Sequence, residues 1–167
     1  MYKNPMSLIL LLLAGYFLCG DLYAQQWVRS YRSARKQALS QNKKLFLFFS
    51  GSDWCMEGRK MQSILFRSKA FRDLTREKYV LYNADFPRQK MLGQEAREYN
   101  QRLASRYGIT HFPAIVLADP RHGTMLVKHV GSKELSPSKL LEKLETAAGL
   151  RKKKPVLKKT AVQKVQK

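Results

Sequence analysis

Residues 43–55 read KKLFLFFSGSDWC, and this stretch is the part of the sequence that indicates the fold most clearly. The nearly continuous apolar run over residues 44–50 is typical of a strand that is buried on both faces of a sheet. A polar turn follows, and Cys55 comes where a helix is expected to begin. The unpaired N–H groups and the positive dipole end of a helix start stabilise a thiolate. Cys55 is therefore the candidate nucleophile.

The charged residues around Cys55 act on its reactivity in opposite directions. Arg59 and Lys60, one helical turn later, add positive potential that favours a thiolate, whereas the carboxylate of Glu57 opposes it. A small buried residue at a helix start is the alternative interpretation. Because the bulky Trp54 and a polar turn precede the thiol, we favour a reactive cysteine.

Outside this stretch, helix-like and strand-like segments alternate, which predicts a layered α/β domain. Apolar residues at helical spacing indicate helices within residues 27–42, 61–74 and 91–107. Apolar runs indicate further strands over residues 79–85, 113–118 and 125–130. Ser136 and Pro137, a suitable N-cap and a suitable first residue, mark the start of a final helix.

Four pieces of the chain together resemble the thioredoxin superfamily, in its exported branch of Dsb-type and disulfide-isomerase-like proteins with a GSDWC turn. The pieces are KKLFLFFSGSDWC (43–55), YVLYNADFP (79–87), YGITHFPAIVLAD (107–119) and HVGSKELSPSKLLEKL (129–144). They follow the order and spacing of the family over residues 26–148. The resemblance implies a thioredoxin fold, in which a mixed sheet of four or five strands is flanked by helices.

The resemblance also implies roles for four residues. Cys55 matches the attacking cysteine of the family, and Trp54 matches the tryptophan that precedes it. Pro113 matches the cis-proline, whose loop faces the thiol and pairs with the backbone of an incoming client. Phe112 would line the substrate groove together with Trp54 and Pro113.

The chain departs from the family pattern at two positions. Gly58 stands where a Cys-x-x-Cys motif has its resolving cysteine, so no second thiol in the motif can release a client bound to Cys55. Phe49 stands where thioredoxins carry a buried carboxylate. We expect Gly58→Cys to supply the resolving thiol without destabilising the reduced protein, because glycine is unfavourable within a helix.

Length and the character of the amino terminus set the domain limits. The 167 residues predict one domain, at residues 25–150. Residues 1–24 resemble a secretory signal, whose apolar core is shorter than the roughly 20 residues of a membrane-spanning helix. We therefore expect an exported protein, periplasmic in a bacterium, from which Cys19 is removed with the signal. Lipidation of Cys19 is the alternative.

The chain is strongly basic, with a formal net charge of +20. Residues 151–167 hold eight Lys and Arg residues and no acid, which predicts a disordered tail. Docking of this tail to an anionic surface is the functional alternative. The tail has no aromatic residue that could stack on bases, so we expect no specific nucleic-acid partner.

The chain has few cysteines, and its histidines lack the spacing of metal ligands. These two facts exclude several classes of protein. Two cysteines in all exclude a disulfide-stapled miniprotein and a zinc site built on cysteine pairs. His111, His122 and His129 have no ligand spacing, and no phosphate-binding loop or Ser/His/Asp arrangement is present, so we expect no metal and no cofactor. His111 is interpreted as a polar loop residue, with approach to the thiol as the alternative.

These features predict a monomeric thiol–disulfide exchange protein, of the oxidoreductase or isomerase type, that attacks client disulfides through Cys55 alone. Another client thiol, or a small external thiol, would then resolve the mixed disulfide. The alternative is a non-catalytic protein that holds clients beside Phe112 and Pro113, or a basic adapter. An adapter has no need of an exposed thiol at a helix start, which favours the first hypothesis.

Overall fold

The computed structural model describes residues 27–131 and 136–150, so the expected signal and tail lie outside the described residues. The strands are β1 (Trp27–Val28), β2 (Lys44–Ser50), β3 (Tyr79–Asp85), β4 (Ala114–Ala118) and β5 (Met125–Val130). The helices are α1 (Tyr31–Ser40), α2 (Met56–Ile64), α3 (Lys69–Lys78), α4 (Gln94–Arg106) and α5 (Pro137–Ala147). Among the described residues, no helix is both long and apolar enough to cross a membrane.

The described strands form one mixed sheet in the order β1-β3-β2-β4-β5, and helices pack on both of its faces. β1 and β2 run parallel to β3, whereas β4 runs antiparallel to β2 and β5. This arrangement confirms the predicted α/β fold of thioredoxin type.

The central strand β2 is buried on both faces, as its continuous apolar run predicts. Leu45, Leu47 and Phe49 pack beneath α1 and α4. Phe46 and Phe48 face the opposite layer, formed by α2, α3 and α5. Each fully buried side chain of this kind contributes about 1.5–3 kcal/mol of burial free energy. The two layers therefore fix the position of β2, and with it the turn that leads to Cys55.

The register of the sheet explains why distant parts of the sequence meet at one edge. Ser50 at the end of β2 pairs with Asp85 at the end of β3, because the two strands are parallel. β4 is antiparallel and begins at the same edge, where Ala114 pairs with Phe49. The segments after β2, after β3 and before β4 thereby meet at the edge of the sheet from which the turn leads to Cys55.

The structure corrects two of the predicted helices. Trp27 and Val28 do not belong to the first helix but form β1, which pairs with β3. The helix begins only after Ser30, whose side chain accepts a hydrogen bond from the N–H of Ser33 at 3.2 Å. The helix predicted within residues 61–74 is two helices, since Ser68 caps a new one by accepting from the N–H of Phe71 at 3.3 Å.

The predicted start of the last helix is confirmed. Ser136 is its N-cap and accepts a hydrogen bond from the N–H of Lys139 at 3.3 Å. Pro137 is the first helical residue, where its missing N–H removes no hydrogen bond.

Candidate active site

Cys55 is the N-cap residue of α2, which places it at the positive end of that helix. Its N–H donates to the carbonyl oxygen of Gly51 at 2.8 Å, and its carbonyl accepts from the N–H of Arg59 at 3.1 Å. The side chain makes no capping hydrogen bond, so the sulfur is not used by the helix. Cys55 is only 5% exposed, which corrects the expectation of an exposed thiol. Little of Cys55 is therefore open to solvent in this structure.

An aromatic cluster beside Cys55 joins two of the expected groove residues, Trp54 and Phe112. Their rings meet edge to face, with centroids 5.7 Å apart. The Trp54 indole N–H donates to the carbonyl oxygen of Phe86 at 2.7 Å, and the Phe86 ring lies 5.0 Å from that of Phe112. The indole of Trp54, the residue before Cys55 in the sequence, is thus held in one orientation.

The Phe112–Pro113 peptide bond is cis, in agreement with the resemblance. The carbonyl oxygen of Pro113 accepts from the N–H of Gly131 at 2.8 Å, which ties this loop to the end of β5. In the part of the chain that the structure describes, the backbone N–H and C=O of Phe112 have no hydrogen-bond partner. Both groups are therefore free to pair with an extended chain laid along the loop.

Gly58 is buried against Ser50, the last residue of β2. A Cβ built at position 58 would lie 2.1 Å from Oγ and 3.1 Å from Cβ of Ser50, and 3.2 Å from Sγ of Cys55. Ser50 is 1% exposed, and its Oγ has no hydrogen-bond partner among the described residues. Gly58→Cys can therefore leave the reduced protein unharmed only if the Ser50 hydroxyl, which occupies the space of the new Cβ, moves aside.

Asp53 organises the loop that follows β3. Its carboxylate accepts hydrogen bonds from the backbone N–H groups of Arg88, Gln89 and Lys90 at 3.0, 2.6 and 3.2 Å. Loss of solvation acts to raise the pKa of Asp53, but these donors outweigh it and hold the pKa below its ordinary value. Asp53 is therefore an ionised anchor for this loop at neutral pH.

Two cations reach toward the turn before Cys55. The Arg88 guanidinium lies over the Trp54 ring, 4.4 Å from its centroid, which is close enough for a cation–π contact. Arg59 donates from Nη1 to the carbonyl oxygen of Ser52 at 3.4 Å. The turn is thus flanked by positive charge from both α2 and the loop after β3.

Sequence reasoning missed Ser50, Asp53 and Arg88. A serine that ends an apolar run is a weak signal in a sequence, and so is a single acid two residues before the cysteine. The residues that contact them become neighbours only in the folded structure. His111 is exposed and bonds through Nδ1 to Oγ1 of Thr110 at 2.9 Å, as fits a polar loop residue. The described residues contain no group of three or more His, Cys, Asp or Glu side chains that could hold a metal ion.

Comparisons with known proteins agree with this geometry. A family model described as a thioredoxin-like domain matches residues 31–148. The disulfide bond reductase DsbH of Chlamydia pneumoniae is 36% identical to the chain over 94 residues. That match covers 56% of each protein, so the chain spans about half the length of this curated relative.

Solved structures share the same architecture. A structure described as a DsbH oxidoreductase is 29% identical, with a TM-score of 0.67 over 82% of this chain and 99% of that one. A thioredoxin from Thermus thermophilus is 17% identical, with a TM-score of 0.58 over 74% of this chain and 87% of that one. The second likeness shows the fold alone.

Proposed function

The chain belongs to the thioredoxin-like domain family, and we propose that it is a thiol–disulfide exchange protein in which Cys55 is the single nucleophile. The observation that carries this proposal is the position of Cys55 at the start of α2, with a side chain that makes no capping hydrogen bond. Its similarity to a disulfide bond reductase and to an oxidoreductase supports the same chemistry.

The proposed reaction begins when the Cys55 thiolate attacks one sulfur of a client disulfide. A bond forms between Cys55 and that sulfur, the client S–S bond breaks, and the second client sulfur leaves as a thiolate that takes up a proton. Trp54 and Phe112 would line the approach of the client. The backbone groups of Phe112, which have no partner among the described residues, would hold the client chain in an extended form.

Release of the client needs a thiol from outside the motif, because Gly58 replaces the resolving cysteine expected there. If a second thiolate of the client attacks the mixed disulfide, Cys55 is regenerated and the client has exchanged one disulfide for another, as in isomerisation. If two small thiols act in turn, the client disulfide is reduced and the small thiols end as a disulfide.

A non-catalytic client-binding protein is the second candidate, and one observation favours it. Cys55 is only 5% exposed, whereas the aromatic cluster beside it is half-buried and forms a surface on which a chain could rest. This candidate predicts client binding without covalent capture.

The experiment that separates the two candidates is trapping in the absence of a small thiol. We expect the reduced protein to accumulate a one-to-one mixed disulfide with a client, attached at Cys55 in peptide mapping by mass spectrometry. Glutathione should release it and should allow the protein to speed the reactivation of scrambled ribonuclease. Client binding that stays non-covalent, with no gain in ribonuclease reactivation, would contradict the exchange function.

The remaining proposals concern residues outside the described ranges. We propose export directed by residues 1–24, to the periplasm in a bacterium, and a tail, residues 151–167, that docks to anionic surfaces. Truncation after Gly149 should leave Tm nearly unchanged, because α5 ends at Ala147. It should weaken binding to anionic lipid vesicles, most strongly at low salt. Binding that is independent of salt would contradict electrostatic docking.

A further inference from the structure

A cleft of about 360 Å³ lies between the loop after β3 and helix α4. We call it the Arg88 cleft; its lining includes Asp85, Phe86, Arg88, Lys90, Arg97 and Asn100. Phe86 belongs both to this lining and to the aromatic cluster beside Cys55, through its contact with Phe112. The cleft therefore adjoins the groove proposed for the client through Phe86.

The charge in the Arg88 cleft is unbalanced. Three cations, Arg88, Lys90 and Arg97, are exposed along its lining, against the single acid Asp85. Asp85 already accepts the N–H of Ser52 at 2.8 Å through Oδ1. In the ranges 27–131 and 136–150, neither Arg88 nor Lys90 takes part in a salt bridge. The side-chain charges of Arg88 and Lys90 are thus not paired with any described carboxylate, although the ionised Asp53 lies against the backbone of the same loop.

The two unpaired cations, Arg88 and Lys90, belong to a loop that is already ordered. The Asp53 carboxylate holds three successive backbone N–H groups of this loop, including those of Arg88 and Lys90. The Arg88 guanidinium rests on the ring of Trp54, the residue next to Cys55. A ligand that binds here loses little free energy in ordering the loop.

We propose that the Arg88 cleft selects acidic clients, by receiving carboxylates that lie within a few residues of the client cysteine under attack. The inference rests on the exchange function proposed for Cys55. Carboxylates match the unpaired cations, and a partner of opposite charge is attracted by the net charge of +20 on the whole chain. The acidic segment and the attacked sulfur are held at neighbouring positions, by Arg88 and by Cys55.

The test uses two synthetic peptides, each with one cysteine activated as a thiopyridyl disulfide, that differ only in flanking Asp or Asn residues. Attack by the Cys55 thiolate forms a bond to the peptide sulfur and releases thiopyridone, whose absorbance gives the rate. We expect wild type to react roughly tenfold faster with the Asp peptide at low salt. This ratio should fall as salt screens the cleft.

Combined Arg88→Gln and Lys90→Gln substitutions should bring the ratio close to one. Lys90→Gln alone leaves the contact between Arg88 and Trp54 in place. It should lower the ratio of the two peptide rates only partly. The matched control removes the same charge elsewhere, by Lys36→Gln with Lys139→Gln on exposed faces of α1 and α5, and should keep the ratio.

Two outcomes overturn the cleft proposal while leaving exchange at Cys55 intact. The first is a ratio that persists in the Arg88 and Lys90 variant. The second is a ratio that falls equally in the control, which would assign the preference to net charge. If wild type reacts with neither peptide, the exchange function itself fails and the cleft proposal fails with it.

Discussion

Cys55→Ser is expected to reduce thiol–disulfide exchange to the uncatalysed background without unfolding the protein. The thiolate is the nucleophile in disulfide exchange, and a serine hydroxyl cannot replace it near neutral pH. Stability should not suffer, because Cys55 occupies an N-cap position and makes no capping bond there. Serine is among the preferred N-cap residues, so we expect the free energy of unfolding to stay constant or to rise by up to about 1 kcal/mol.

The matched control for this substitution is Cys55→Ala, which removes the sulfur and supplies no cap. Thermal unfolding and mass-spectrometric trapping of a client disulfide, measured side by side, separate chemistry from folding. We expect both variants to trap no client and Cys55→Ser to be the more stable. Client trapping that survives in the serine variant would exclude Cys55 as the nucleophile. A marked loss of Tm in both variants would instead indicate a structural cysteine.

Much of the fold could be predicted because the deciding residues act locally. The apolar run before Ser50 specifies a buried strand by itself, and Ser136 with Pro137 specifies a helix start by itself. The two-residue strand β1 could not be predicted, since Trp27 and Val28 are strand residues only through their pairing with Leu81 and Tyr82. A strand this short has no periodicity of its own.

The candidate site likewise has features that the sequence predicts and features that only the folded structure shows. The placement of Cys55 at a helix start follows from the order of strand, turn and helix in the sequence. The capture of three loop N–H groups by Asp53 joins residues about 35 positions apart, and no local pattern signals it. The contact between Ser50 and Gly58 is likewise a matter of packing, and it changes what a substitution at Gly58 should do.

Gly58→Cys, the substitution that would add a resolving thiol, has two opposing consequences in this structure. A Cβ at position 58 would lie 3.2 Å from Sγ of Cys55, close to the roughly 3 Å that separates these atoms across a disulfide. The bond is therefore within reach. The same Cβ would overlap the Ser50 hydroxyl at 2.1 Å. Overpacking costs about 1–3 kcal/mol, more than the roughly 0.5–1 kcal/mol gained by removing a helical glycine.

We therefore expect Gly58→Cys alone to lower the free energy of unfolding by about 1–2 kcal/mol, and a second substitution, Ser50→Ala, to restore most of it. Removing the Ser50 hydroxyl should cost little by itself, because it is buried without a hydrogen-bond partner in the described structure. The remaining Cβ contact of 3.1 Å needs a shift of only a few tenths of an ångström. The matched control is Ser52→Ala with Gly58→Cys, which removes another buried, unpartnered hydroxyl and should not relieve the overlap.

Insulin reduction and mild oxidation give the functional measurement for these variants. Wild type and Ser50→Ala should accumulate mixed disulfides with little turnover, whereas the Ser50→Ala, Gly58→Cys protein should cycle between dithiol and disulfide. Its turnover should remain below that of a full dithiol enzyme, because Phe49 stands where the resemblance places a buried proton acceptor. If the double variant folds but forms no disulfide between Cys55 and the introduced thiol, the geometry assigned to the start of α2 is wrong. The client-binding function would then be the better explanation of the groove beside Phe112.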